Sequence, residues 1–264
     1  MVGLPPLRRA ELFIVDGTAL VLRPWFAGVP NPHVAAHRLL MRLVTSSSHA
    51  AVVMDRSLDT FRRELDPSYK AHRVPADAGL IRIFDDFEAR AGASGVPVFS
   101  DPRFEADDFA ASLTARAREA GMNVVIHAAD KDLFQLVVDA PPAVRVVDSA
   151  REWNVDAAGV FERLGVQPHQ VVDFLALVGD ASDGVRGVPG IGARTAATLL
   201  VALQSLDRIL DEPAAVAALP IRGARTLPER LAAGREAALL ARSLVRLRVD
   251  APLPADALAR CAQS

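Results

Sequence analysis

Cysteine is nearly missing from this chain, and the single Cys261 close to the end excludes an internal disulfide framework and any zinc site built from several cysteines. A reducing, cytoplasmic setting fits that usage. Long apolar runs are missing as well. The first, Leu12 to Val15, is broken by Asp16 and is too short for the core of an export signal, and no stretch approaches the length of a membrane span. The expectation is a soluble protein with no membrane partner. Clustered histidines are absent: His49, His127 and His169 have no partners at metal-ligand spacing and are read as structural. No serine, histidine and aspartate form a candidate triad, so a covalent serine route has no support. Neither a sequence repeat nor a low-complexity tract is present beyond alanine richness toward the end.

A length of 264 residues allows one large or two modest domains with a sizeable core, and 51% hydrophobic with 23% charged residues excludes wholesale disorder. The formal net charge of −2 argues weakly against a nucleic-acid partner only if charge is spread evenly. Once the acids of the candidate site described next are set apart, lysine and arginine are in excess, which is compatible with holding a phosphate backbone.

Phe104-Glu105-Ala106-Asp107-Asp108-Phe109 places three carboxylates at the head of a helix expected over 105–120. Acids are favoured in a first helical turn, but like charges this close stay ionised cheaply only around a cation. The cluster can hold an ion without closing a site. Partners are found at the ends of short apolar runs: Asp16 after Leu12–Val15, Asp55 after Ala51–Met54, and Asp130 with Asp132 after Val124–Ala128. Val144–Val147 reads as a further strand, and helical segments (32–44, 78–91) lie between these runs. Apolar strands alternating with amphipathic helices argue for an α/β fold with a mostly parallel sheet covered on both faces. In such sheets the reacting site lies at the carboxyl ends of the strands. One strand-end aspartate is commonly only a helix cap or a turn former; three of them beside an acidic helix start point to a site.

Two further segments stand out. From Ser57 to Asp77 the chain is basic: Arg62 and Arg63, then Tyr69-Lys70-Ala71-His72-Arg73. If helical, it projects Lys70 and Arg73 from one face for phosphate contacts, with Tyr69 available to stack on a base; alternatively it is a solvated loop. From about residue 169 the pattern turns helical. Gly179-Asp180-Ala181-Ser182-Asp183-Gly184 adds two acids, and Gly187-Val188-Pro189-Gly190-Ile191-Gly192 precedes Ala193-Arg194-Thr195. A P-loop fails, with Ala193 and Arg194 where Lys and Ser/Thr are needed, and a dinucleotide fingerprint fails at Thr195. What survives is a glycine hairpin between two helices, whose free N–H groups can receive a DNA phosphate. The collected acids are Asp16, Asp55, Glu105, Asp107, Asp108, Asp130, Asp132, Asp180 and Asp183. An all-oxygen set selects Mg²⁺ or Mn²⁺ over zinc. Two such ions suit in-line phosphodiester hydrolysis, one lowering the pKa of an attacking water and both steadying charge on the phosphoryl group.

Val15-Asp16-Gly17, the Asp55 strand end, Tyr69-Lys70-Ala71-His72-Arg73, Glu105-Ala106-Asp107-Asp108, Ala129-Asp130-Lys131-Asp132, Gly179-Asp180-Ala181-Ser182-Asp183 and the 187–192 glycines occur in that order. Together they resemble the bacterial 5'-3' exonucleases or flap endonucleases, including the N-terminal nuclease domain of DNA polymerase I. The resemblance implies a PIN-like core over 1–170 with a helical arch at about 57–77, and a helical region over 171–264 with a helix-hairpin-helix. It implies DNA as the substrate rather than a small molecule: a 5' flap cut near the junction, and nicked or recessed ends degraded 5'-3'. Lys70, Arg73 and Tyr69 correspond to arch residues at the scissile phosphate, and two or three divalent ions sit among the acids. Gly190, Gly192, Arg194 and Thr195, with Arg62 and Arg63, are expected against DNA, and a potassium ion on the carbonyls of the 190–192 turn. The sequence departs from the family in a short 16–55 connection with Pro30-Asn31-Pro32, in Gly184 for a common asparagine, and in Arg194 for a common lysine. With no polymerase following, the expectation is a free-standing, monomeric nuclease. A non-catalytic junction binder and a PIN-type ribonuclease are the alternatives; the retained acids disfavour the first and the hairpin disfavours the second.

Overall fold

The computed structural model describes residues 11–45, 47–221 and 223–263. Six strands, β1 (Glu11–Asp16), β2 (His49–Val53), β3 (Val98–Phe99), β4 (Asn123–His127), β5 (Val144–Asp148) and β6 (Trp153–Val155), form one sheet in the order β3-β2-β1-β4-β5-β6. The first five are parallel and β6 returns antiparallel to β5. The strands are continuously apolar because both faces are covered. Leu12, Ile14, Ala51 and Val53 enter one core cluster, and Val15, Ala50 and Val52 enter another, as the two-residue period of a strand requires.

The helices are α1 (Gly17–Phe26), α2 (Pro32–Val44), α3 (Phe61–Leu65), α4 (Ala78–Ala93), α5 (Ala106–Glu119), α6 (Ala157–Leu164), α7 (Val171–Val178), α8 (Ala193–Leu203), α9 (Leu206–Asp211), α10 (Pro213–Ala217), α11 (Leu227–Ala233), α12 (Arg235–Val245) and α13 (Ala257–Cys261). The smaller cluster packs α1, α2 and α4 on one face through Leu20, Leu40 and Phe87. The larger joins α5 on the other face to α7, α8, α11 and α12 through Phe109, Leu175, Leu199, Leu231 and Ala238. A two-strand antiparallel ribbon, β7 (Gly179–Asp180) and β8 (Val185–Arg186), separates α7 from the glycine turn before α8. The expected direct hairpin between two helices is therefore a helix, ribbon, turn and helix. Among the described residues no helix is long and apolar enough to cross a membrane.

Besides the ribbon, β3, β6 and α1 are among the elements that were not expected. Strands β3 and β6 have two and three residues, too few to show a period. Helix α1 contains Pro24 and is apolar on more than one face, so it merges with the strand before it in the sequence pattern. Gly17 joins the two: a Cβ there would stand 2.5 Å from Val52 Cγ1, and its absence lets α1 leave β1 tightly over the sheet.

The basic segment also differs from a helix through Lys70 and Arg73. Only α3 is helical, and residues 67–72 are turns. Pro67 disfavours a helical Asp66, whose side chain instead accepts from Ser68 N at 2.8 Å. Lys70 has φ +50°, outside helical backbone.

Candidate active site

The strand order brings the carboxyl ends of β1, β2 and β4 together beside the head of α5. Asp16 ends β1 and caps α1, accepting from Ala19 N at 2.9 Å. Asp55 follows β2 and accepts from Ala106 N at 2.9 Å, so one strand end is tied directly to the first residue of α5. Asp130 follows β4 and accepts from Asp132 N at 2.9 Å. The ribbon loop presents Asp180 and Asp183, both buried.

These acids feel one another. The Asp16 carboxyl is raised to about 7, by burial first and then by the charges of Asp55 and Asp130. Asp107 is raised well above the usual carboxylate range by burial and by Asp130, Asp16 and Asp55. Burial and Asp130 likewise push Asp132 well up, with Asp180 and Asp183 adding to the effect. Asp130 is raised by burial, against the bond from Asp132 N, with Asp183 and Asp180 contributing. Asp16, Asp55, Asp107, Asp130, Asp132, Asp180 and Asp183, drawn from five places in the chain, thus share one electrostatic neighbourhood in which ionisation of one opposes ionisation of another.

Cations border it. Lys70 Nζ lies 2.8 Å from Glu105 Oε2 and 3.5 Å from Asp183 Oδ2, and Arg73 Nη2 donates to Asp183 Oδ1 at 2.6 Å. Burial opposes the charge on both Lys70 and Glu105, yet their pairing outweighs it, raising the lysine and lowering the carboxyl. A turn, not a helical face, brings Lys70 and Arg73 to one place, beside Glu105 and Asp183. Lys131, unassigned in the sequence reading, donates to Asp180 Oδ2 at 2.5 Å. With Ser182 it holds that carboxyl below its ordinary range against the effect of burial. Its place between two acids in Ala129-Asp130-Lys131-Asp132 was the signal available.

Four expectations need correction. Asp108 is fully buried, and Arg62 grips it at 2.6 and 2.8 Å while Glu105 N and Arg248 N donate to the same two oxygens. With its oxygens committed, Asp108 is withdrawn from the metal set. Arg62, only 1% exposed, is equally withdrawn from phosphate contact. Arg63 is spent on the arch turn, donating to the carbonyls of Tyr69 and Lys70 at 3.2 and 3.1 Å. Tyr69 is buried and donates its hydroxyl to Glu105 at 3.0 Å and Asp183 at 3.1 Å. It cannot stack on a base, and burial with the two acids pushes its phenol upward, keeping the donor protonated.

The chemistry of the set fits hard divalent cations. Its donors are all oxygens, four carboxyls resist ionisation in this environment, and Asp132 Oδ1 is buried without a hydrogen-bond partner. As placed, no three acids, histidines or cysteines among the described residues close into a finished coordination shell. Lys70, Arg73 and Lys131 neutralise part of the cluster instead.

Away from the acids, Gly190 and Gly192 bracket the turn before α8, with Gly190 at φ +79° and Gly192 at the N-cap of α8. Arg194 is exposed and Thr195 half-buried in the first turn of that helix. Arg230, not anticipated, crosses the turn with its guanidinium 3.5 Å from Gly190 O.

Two sequence profiles match the chain: "5'-3' exonuclease, N-terminal resolvase-like domain" over residues 11–165 and "5'-3' exonuclease, C-terminal SAM fold" over residues 166–263. DNA polymerase I of Rhizobium leguminosarum is 34% identical over 265 residues, covering 93% of this chain and 25% of the polymerase. The chain therefore spans about a quarter of that relative's length. A 5'-3' exonuclease of Buchnera aphidicola is 30% identical over 202 residues, covering 76% of this chain and 70% of the relative. Among solved structures, a pseudo-enzyme-product complex of the bacteriophage T5 flap endonuclease with DNA and metal ions superposes with a TM-score of 0.72. It shows 24% identity and covers 89% of this chain and 88% of that one.

Proposed function

The chain belongs to the 5'-3' exonuclease family, and on that premise we propose that it is a divalent-metal-dependent, structure-specific DNA nuclease that cuts 5' flaps near the junction and degrades nicked or recessed ends 5'-3'. One observation carries the reading: acids from β1, β2, β4, α5 and the β7–β8 loop share a single field of charge, bordered by Lys70 and Arg73.

Asp16, Asp55, Glu105, Asp107, Asp130, Asp132, Asp180 and Asp183 are the residues that would hold Mg²⁺ or Mn²⁺. Such cations, when bound, supply charge neutralisation at the phosphate and a more acidic attacking water. The chain's own residues do the positioning. A phosphate entering beside Glu105 and Asp183 competes for Lys70 and Arg73. Transferring these cations from carboxylate to phosphate releases the acids and clamps the substrate at the same place. Tyr69 keeps Glu105 and Asp183 in register during that exchange, since its proton stays on. Farther away, the exposed N–H groups at Gly192 and the Arg194 side chain offer duplex backbone a sequence-independent contact. Gly190 O, one of the carbonyls that would receive a potassium ion at this turn, is already faced by Arg230.

The test is cleavage of a 5'-labelled flap duplex, a matched single strand and an RNA hairpin, each with Mg²⁺, Mn²⁺ or EDTA. The expected result is metal-dependent cutting at the flap junction, abolished in Asp130→Ala while that variant still binds the flap in Ca²⁺. Cutting of the RNA would favour the ribonuclease, and binding without cutting would favour a junction-binding protein.

A further inference from the structure

Among the described residues Arg62 is the largest side chain that is fully buried, and a buried guanidinium is rarely tolerated without full pairing. Each of its three nitrogens has a partner here, and Nη1 also lies 3.6 Å from Glu105 Oε2. Both terminal nitrogens donate to Asp108, at 2.6 and 2.8 Å, and Nε donates to Leu244 O at 2.8 Å. Three separate pieces of chain meet at this one group: α3 at the foot of the arch, the first turn of α5, and the last turn of α12.

The partners extend the joint. Asp108 Oδ2 accepts from Glu105 N at 3.1 Å and its Oδ1 from Arg248 N at 2.9 Å. One turn along α5, Ser112 Oγ accepts from Ala251 N at 3.0 Å, and Arg116 donates to Pro254 O at 2.6 Å. The segment leaving α12 is thus fastened along α5, with the Arg62–Asp108 pair at its upper end. Glu105, which receives Lys70, sits on the same bonded unit. The arch residues between α3 and Lys70 are short and turn-rich, so a shift of α3 relative to α5 moves Lys70 and Arg73 relative to the acids.

We infer that Arg62 is a positioning residue, one that touches neither metal nor DNA and fixes the foot of the arch to the head of α5 and the end of α12. By doing so it decides which phosphodiester is presented for cutting. The inference rests on the nuclease reading. A buried ion pair alone is weak evidence for a stabilising role, since apolar replacement of both partners is often neutral. That property separates positioning from bulk stability. The doubly apolar variant Arg62→Met/Asp108→Leu removes the geometric lock without leaving a lone buried charge.

The experiment is single-turnover cleavage of a 5'-labelled flap duplex in Mg²⁺ by wild type, Arg62→Lys and the double variant, with products resolved to one nucleotide. Melting midpoints and flap affinity in Ca²⁺ are measured alongside. Wild type is expected to give one dominant incision. The double variant, folded and binding within about threefold of wild type, should spread incision over two or more neighbouring phosphodiesters and slow about tenfold or more. Arg62→Lys keeps the charge but not the two-pronged geometry, and should fall between the two. A double variant that cuts one bond at the wild-type rate overturns the inference. If that variant does not fold, Arg62→Lys decides alone: spread products support the positioning role and a single product at the wild-type rate overturns it. A wild type that cuts no DNA overturns the nuclease reading beneath both.

Discussion

Asp16 shows how a single side chain can report on the whole site. Its carboxyl is raised from 3.8 to about 7, by burial first and by Asp55 and Asp130 next. Between those values the folded chain binds more protons than the unfolded one, so folding stability is fully present below about 4 and declines as pH rises through about 7. Asp107 and Asp132 act in the same direction. A divalent cation removes the opposition to ionisation. In EDTA the melting midpoint should therefore fall as pH is raised from about 4 to about 7, and added Mg²⁺ should raise it more at pH 7 than at pH 5. An equal increment at both pH values would count against a carboxylate-held ion. The strand-end acids were legible in the sequence because an apolar run ending in aspartate has few other uses when it recurs. Asp107 and Asp108 could not be told apart. Both are acidic positions of a first helical turn, and what separates them is Arg62, distant in sequence and recognisable as a partner only once folded.

At the scale of elements, the proposed nuclease assigns different tasks to the turn over 67–72 and the glycine turn before α8. Lys70 stands among the acids, so Lys70→Ala should depress single-turnover cleavage by about 100-fold while flap affinity in Ca²⁺ changes by no more than about threefold. Equal losses in both would move Lys70 from chemistry to binding. At the glycine turn the guanidinium of Arg230 already faces Gly190 O, and a Cβ at Gly190 would meet it at 2.8 Å. Wild-type duplex binding should then differ by less than about twofold between K⁺ and Na⁺ at equal ionic strength. In Arg230→Ala a preference for K⁺ should emerge, as carbonyls freed from one cation accept another. Strong K⁺ selectivity in wild type would contradict this. The parallel strands and α5 were legible from apolar runs and helical spacing. The conformation of the arch segment was not, because the charges of Arg62 and Arg63 suggested solvent exposure while their partners, Asp108 and the carbonyls of Tyr69 and Lys70, draw them inward.

Across the whole molecule, one core cluster runs from β1 and α5 through α7, α8 and α12. The helical region is therefore continuous with the sheet that carries the acids, and the chain from α12 onward is bonded along α5. Acids from distant positions are thereby held by strands, a helix head and a ribbon loop that share one interior. It also accounts for the difference between two neighbouring carboxyls, one facing the site and one locked into the frame. The most direct measurement is calorimetric titration of Mn²⁺ into wild type, Asp107→Ala and Asp108→Asn in the absence of DNA. Wild type should bind Mn²⁺, Asp107→Ala should bind it at least about tenfold more weakly, and Asp108→Asn should stay within about threefold of wild type. No binding by wild type, or an equal loss in both variants, would contradict a metal site built on Asp107 and framed by Asp108.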